Sequence, residues 1–525
     1  MMSNFSRTQT VRKRVEATRS GLVAAQHRRA AEIGAGVLEA GGDAIDAAVA
    51  TSFAIGVVEP WMSGPAGGGA MMIWREAEQR AYTLFFGMRS PQALDPADYP
   101  LDGRPPSADL FAWPSVKDDR NIQGATAIAV PGTVAGMELA HRTFGRLAWK
   151  DLVLPAAGLA RQGMLIDWYA SLIIASTTRD LARDPDASAM FLDDGQWPKI
   201  AGWTALSESR LDQSRLAETL TRLAEAGARD FYEGDIARAM VADVKAKGGC
   251  LSLDDLASYK AHLREAIEAP YRGGLVHAAK GLTAGPNLAE CLRMMEDAFT
   301  PGAEPDGTSY AAMAKTLGIS YQRRLAGMGD GEAPGAPSCT THFSVVDRHG
   351  NMVAVTQTLL SIFGSRVVSP STGLLMNNGI MWFDPEPGRP NSLGAGKGCL
   401  MNICPAIGEK DGRRFAIGAS GGRKILPAVL NLTSFMLDFG MSLEGAFHQP
   451  RIDNSGGGTV IADENLSPGI IAALNAAHTV ATTKRTVFPY AFACPAGVMR
   501  ENGLNTGCTE IMSPWGDVVQ EKDAI

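Results

Sequence analysis

No continuous apolar run follows the basic start MMSNFSRTQTVRKRVEATRS, and a secretory signal needs one after its positive region. Later stretches are also too short or too charged to span a bilayer: the most apolar one, around AIGVVEP, is broken by Glu59 and Pro60. A soluble cytoplasmic protein without a membrane partner is expected. Cysteine is scarce. Its seven copies, Cys250, Cys291, Cys339, Cys399, Cys404, Cys494 and Cys508, are odd in number and lack close repeated pairs, which argues against structural zinc or a dense disulfide framework. Basic excess is missing too: 49 Lys and Arg against 56 Asp and Glu give a net charge of -7, and HTVATTKRT at 478–486 is too short a basic patch to hold nucleic acid. There is no evident short repeat. GPAGGGAM at 64–71 and GASGGRK lack the lysine spacing of a phosphate loop and the dinucleotide fingerprint, which disfavours ATP or nicotinamide chemistry.

What is present is a long, ordered chain: 525 residues at 45% hydrophobic content suffice for one large core or several domains. AAQHRRAAEIGAGVLEAGGDAIDAAVATSF has helical spacing broken at Gly41–Gly42 and predicts two closely packed helices. GVVEPWMSGPAGGGAMMIW and the run ending in AYTLFF predict strands separated by a glycine cluster. Residues 90–120 predict surface loops, and 140–265 several helices, clearest in DLVLPAAGLARQG and GDIARAMVADVKAKGG. After residue 323, RLAGMGDGEAPGAPSCT predicts an exposed or weakly packed connection. Strands are then expected in THFSVV, NMVAVTQTLL and RRFAIGAS, and a buried helix in ILPAVLNLTSFMLDF.

The junction PSCTTHFSVVD therefore places two threonines where a loose segment meets a strand. Threonine favours strands for packing reasons alone, so the pair has an ordinary structural reading. It also has a chemical one. An internal threonine hydroxyl lacks a base, but a chain that begins at threonine carries an amine able to take the hydroxyl proton. Cleavage between Cys339 and Thr340 would create that arrangement and divide the chain into 1–339 and 340–525.

TTHFSVVDRHGNMVAVTQTL resembles the start of the small subunit in the gamma-glutamyltranspeptidase family of N-terminal nucleophile hydrolases. AGGDAIDAAVATSFAIGVVEPWMSGPAGGGAMM, VPGTVAGMELAHRTFGRLAW, the YRG-containing region near 229–273 and GRRFAIGASGGRKI resemble further family motifs in the expected order. The resemblance implies an α+β fold, a four-layer αββα sandwich built by both products of an autoprocessed zymogen. Residues 1–339 would supply the large-chain portion of one composite domain, and 340–525 the small-chain portion. Thr340 matches the nucleophile, Thr358 its hydrogen-bonding support, and Gly421 and Gly422 the glycines whose backbone stabilises an oxyanion. No cofactor or metal is implied. The partners are an amide donor and water or an amine acceptor, besides the two chains themselves and a possible higher homo-oligomer.

The recognition positions depart from the family. Its Asp-Phe-Arg-Glu-like motif is replaced by Leu84-Phe85-Phe86-Gly87-Met88-Arg89, putting Gly87 at the arginine and leaving Arg89 as a displaced substitute. Leu360 stands where a polar Asn is common, Ser371 at an upstream glutamate, Met381-Trp382 at an acidic pair, and Met401-Asn402 at a Ser-Ser pair. Glycine supplies no charge and leucine cannot bind an ammonium, so most of the cage for both ends of an α-amino acid is gone. Arg89, Leu360, Ser371, Trp382 and Asn402 are the candidate substrate contacts. Trp382 and Phe383 would line an acyl pocket or simply pack. His342 is read as structural, since strand alternation can turn it away from Thr340, and Asp347 as a turn cap. An N-terminal-threonine amide hydrolase or acyltransferase with altered donor specificity is the leading expectation. A true gamma-glutamyltransferase or glutathione hydrolase, and a non-enzymatic ligand-binding descendant, are the alternatives.

Overall fold

The computed structural model describes residues 8, 10–105, 113–201, 208–327, 339–456 and 458–522. Its centre is a pair of seven-stranded antiparallel sheets. In chain order the strands are β1 (Glu16–Thr18), β2 (Leu22–Ala25), β3 (Gly68–Arg75), β4 (Arg80–Phe86), β5 (His262–Glu265), β6 (Ile267–Tyr271) and β7 (Gly274–Ala278), followed by β8 (Cys339–Val346), β9 (Met352–Leu360), β10 (Ala406–Lys410), β11 (Arg413–Ser420), β12 (Cys494–Glu501), β13 (Leu504–Thr509) and β14 (Asp517–Gln520). One sheet runs β14-β2-β8-β9-β3-β4-β5, and the other β1-β13-β12-β11-β10-β7-β6. Each sheet contains strands from both sides of the Cys339–Thr340 bond hydrogen-bonded to one another, so the two halves share one core.

Helices cover the outer faces. α1 (Arg28–Glu39), α2 (Ala44–Val58), α3 (Thr133–Phe144), α4 (Trp149–Gln162) and α5 (Ser214–Ala226) pack with Phe343, Val345, Val353 and Val355 of the first sheet. α6 (Gly285–Ala298), α7 (Gly307–Gly327) and α8 (Ile425–Asp438) pack on Val276, Phe415 and Ile417 of the second. Between the sheets, Leu22, Ala24, Met72, Trp74 and Ala354 meet Ile407, Ala416, Ala496 and Val498. This is the four-layer αββα sandwich. All nine residues of β9 are buried because one of its faces serves the helix layer and the other the sheet interface.

The helix break at Gly41–Gly42 is found where expected, with Asp43 and Asp46 forming a capping box at the start of α2. Two expectations are corrected. GVVEPW is not a strand: α2 continues to Val58 and β3 begins only at Gly68. Every residue of α2 is buried, so its apolar run carries no one-sided period to separate helix from strand. RLAG is not a loose connection either, because α7 runs to Gly327 and Arg324 is buried, donating to the carbonyls of Thr283 and Met401 at 2.9 and 3.0 Å. Residues 328–338 of the expected connection, and 106–112 of the expected 90–120 loops, lie outside the described residues. Among the described residues no helix is long and apolar enough to cross a membrane.

Candidate active site

β8 pairs with β9 so that Cys339 faces Leu360 while Thr341 faces Gln357. Thr340 therefore stands opposite two residues, Thr358 and Leu359, at a bulge that twists the strand end. Alternation divides β8 into two faces. Phe343 and Val345 enter the helix-side core, with Thr341 on their face. His342 points to the other sheet, where its ring covers Gly418 so closely that a Cβ there would stand 2.4 Å from Cε1. Thr340 shares that face. It is fully buried, and among the described residues its Oγ1 has no hydrogen-bond partner. An orphaned buried hydroxyl costs about 1–3 kcal/mol, a penalty that evolution tolerates where the group reacts. Thr358 Oγ1 accepts from the Leu360 N–H at 2.8 Å and so shapes the bulge. Leu360 itself has φ 90°, a strained backbone for a branched side chain.

Two residues apart on one strand, Thr340 and His342 lie on the same face, which corrects the expected separation. His342 is nevertheless engaged elsewhere: Nδ1 is 2.8 Å from Thr356 Oγ1 and Nε2 is 3.0 Å from Ser344 Oγ. Burial pushes its imidazole down to about 3, leaving it neutral at physiological pH. Asp347 caps the following turn by accepting from the N–H groups of His349 and Asn351.

β11 ends at Ser420, and the chain turns through Gly421 (φ 128°) and Gly422 (φ 66°) into a short 3-10 turn and then α8. Both angles favour glycine. Space is tight as well, since a Cβ on Gly421 would lie 3.0 Å from Ala493 Cα. Amides at such a turn, ahead of a helix N-terminus, suit a developing negative charge. Gln26 fixes this turn at the Thr340 end of the sandwich. Its Nε2 donates to Ser420 Oγ at 2.8 Å and to the Cys494 carbonyl at 2.6 Å, while Thr341 Oγ1 lies 3.3 Å from its Oε1. Thr341 Oγ1 is also 2.8 Å from Glu59 Oε2. Burial pushes the Glu59 carboxyl up to about 8 against the opposing hydrogen bond from Thr341. Sequence reasoning missed Gln26 and Glu59 as parts of the site. For Glu59 a signal existed, an acid set inside an apolar run.

The recognition positions divide into two groups. Leu360, Met381, Trp382, Phe383 and Met401 come together with Met88 in one buried apolar cluster. Asn402 follows Met401, is buried, and among the described residues neither polar atom of its amide has a partner. The phenyl ring of Phe85 covers Gly87, and a Cβ on Gly87 would stand 2.3 Å from Phe85 Cζ. Arg89 and Ser371 are turned elsewhere. Arg89 donates to Ser258 Oγ at 2.8 Å, and exposed Ser371 donates through its hydroxyl to Asp243 Oδ1 at 2.9 Å. Among the described residues no group of three His, Cys, Asp or Glu side chains is placed to hold a metal.

The family model described as Gamma-glutamyltranspeptidase matches residues 30–339 and 333–508, two segments that overlap at 333–339, immediately before Thr340. The Acylase ACY 1 proenzyme of Pseudomonas sp. (strain V22) is 33% identical over 475 residues, 83% of each chain. A glutathione hydrolase proenzyme of Pseudomonas sp. (strain A14) is 32% identical over 488 residues, 82% of this chain and 81% of its own. The crystal structure of cephalosporin acylase from Bacillus halodurans matches over the whole of both chains with a TM-score of 0.85 at 22% identity, a likeness of fold.

Proposed function

The chain belongs to the gamma-glutamyltranspeptidase family and is an amidohydrolase or acyltransferase, and from that premise we propose that Thr340 is the nucleophile of an autoprocessed enzyme for donors other than gamma-glutamyl amides. In maturation, Thr340 Oγ1 attacks the Cys339 carbonyl carbon, the C–N bond breaks, and the hydroxyl proton passes to the departing nitrogen. Water then hydrolyses the Cys339 ester, giving 1–339 with a new carboxylate and 340–525 with a free threonine amine. Support comes from the buried Thr340 hydroxyl at the head of β8, which has no partner among the described residues, and from sheets that each contain strands of both products. Proenzyme relatives fit the same course.

In turnover the Thr340 amine takes the hydroxyl proton as Oγ1 attacks the donor amide, and the leaving amine departs with that proton. Water or an acceptor amine then releases the acyl group. Gly421 and Gly422 stabilise the tetrahedral oxyanion, and Thr358 shapes the bulge opposite the nucleophile. The observation that carries the specificity is the apolar cluster of Leu360, Trp382 and Met401 together with the Phe85 ring over Gly87. Such surroundings favour a donor with a hydrocarbon acyl body over one with charges at both ends of an α-amino acid. Asn402 supplies a neutral amide for an oxygen on that acyl group. Steady-state comparison of acetyl, butyryl, phenylacetyl and glutaryl p-nitroanilides with gamma-glutamyl p-nitroanilide tests this. Higher kcat/KM for at least one simple acyl donor is expected, whereas preference for the gamma-glutamyl compound would support the glutathione-hydrolase reading instead.

A further inference from the structure

Gln26 is satisfied at every polar position. Its Oε1 is 3.3 Å from Thr341 Oγ1 and accepts from Ser420 Oγ at 3.0 Å, and its two amide protons go to Ser420 Oγ and the Cys494 carbonyl. Thr341 is different, because its single hydroxyl proton faces two acceptor oxygens, Gln26 Oε1 and Glu59 Oε2. Both contacts are full two-centre hydrogen bonds only if the carboxyl supplies a second proton; otherwise one proton is shared between two acceptors. We propose that Glu59 and Gln26 are positioning residues for the threonine chemistry: a protonated Glu59 donates to Thr341, Thr341 donates to Gln26, and Gln26 holds Ser420, fixing the spacing between the nucleophile and the Gly421–Gly422 turn. This rests on the assignment of Thr340 as nucleophile.

The surroundings keep Glu59 neutral. No Lys or Arg pairs with it among the described residues, and it is 3% exposed at the end of α2. Thr341 on β8 is hydrogen-bonded to it, and the titratable groups near enough to feel its charge among the described residues are Tyr169 on the helix Trp168–Leu181, Tyr490 in the connection before β12, and Cys494 on β12. Burial pushes Tyr169, Tyr490 and Cys494 upward, so all three stay uncharged when Glu59 begins to ionise. An ionised Glu59 would draw the Thr341 proton to itself and release Gln26. The bridge therefore predicts loss of alignment as pH rises through about 8.

The test measures Cys339–Thr340 cleavage in full-length precursor made by cell-free translation, sampled by intact mass from pH 6 to 9.5, which needs no added donor. Wild type, Thr340→Ala, Glu59→Gln, Glu59→Ala and Gln26→Met are compared. Cleavage in wild type and none in Thr340→Ala upholds the nucleophile, so that failure of the bridge is read separately. Glu59→Gln keeps a donor toward Thr341 at every pH; it should cleave within about 3-fold of wild type and lose the alkaline decline. Glu59→Ala and Gln26→Met should slow cleavage by about 10-fold or more. The proposal is overturned if Glu59→Gln is as slow as Glu59→Ala, if it retains the wild-type decline above pH 8, or if Gln26→Met cleaves at the wild-type rate. Glu59→Gln conserves volume, so it decides the matter even if Glu59→Ala does not fold.

Discussion

Thr340 faces Thr358 across a bulge, one residue of β8 against two of β9. The Thr358 hydroxyl holds the Leu360 N–H, and Leu360 pays for the resulting backbone with a positive φ. Thr358→Ala should free that strained end and lower kcat by about 10–100-fold, while Thr358→Ser keeps the acceptor and most of the activity. Circular dichroism should be unchanged in both. Equal losses in Ala and Ser variants would remove the hydroxyl from the explanation.

Gly421→Ala combines two faults, a φ of 128° and a Cβ 3.0 Å from Ala493 Cα. Loss of one oxyanion donor costs about 2.7–4 kcal/mol, or 10²–10³ in kcat. Burst kinetics with an acyl p-nitroanilide should show slowed acylation with little change in KM. A variant that folds, matures and turns over normally would displace the oxyanion from this turn.

Stability should also report on Glu59. Its carboxyl ordinarily titrates near 4.5 when solvated and is pushed up to about 8 in the fold. Across that window the native state holds a proton that the unfolded chain has released, so this group lowers native stability as pH rises. Glu59→Gln is free of that penalty. Its thermal midpoint relative to wild type should climb from pH 5 to about pH 8 and level off above it, in scans at one fixed heating rate. A difference independent of pH would mean that Glu59 is ionised in the native protein.

The Phe85–Gly87 contact predicts an asymmetric pair of variants. Gly87→Arg alone drives a Cβ to within 2.3 Å of the Phe85 ring and should reduce folded yield. Phe85→Ala with Gly87→Arg opens room for a guanidinium able to pair with a donor carboxylate. The double variant should raise the ratio of gamma-glutamyl to butyryl p-nitroanilide kcat/KM by about 10-fold or more. An unchanged ratio would show that Gly87 does not border the donor.

Much of the fold is legible in the sequence. The strand pattern of THFSVVD, the helix break at Gly41–Gly42 and the glycines after RRFAIGAS follow from local chemistry, and ordered motifs joined them into one family. The end of α2, Gly56–Val58, resembles a strand in the sequence because a helix buried on all sides loses the period that identifies it. Gln26 and Glu59 were missed for another reason. They meet Thr341 from 315 and 282 residues away; an acid inside an apolar run singles out Glu59, but no local pattern encodes which residue it or Gln26 contacts through tertiary packing. The apolar partnership of Leu360, Trp382 and Met401 was foreshadowed position by position, but only the fold showed that the three replacements share one cluster.

The most direct test is intact-mass analysis of the matured protein before and after exposure to an acyl p-nitroanilide, with peptide mapping of the labelled chain. Autoprocessing and catalysis by Thr340 predict two chains, one ending at Cys339 and one beginning at Thr340, with the acyl mass on Thr340 alone and neither event in Thr340→Ala. A chain that stays uncut under conditions where it turns over the donor, or an acyl group mapped to any other residue, would contradict it.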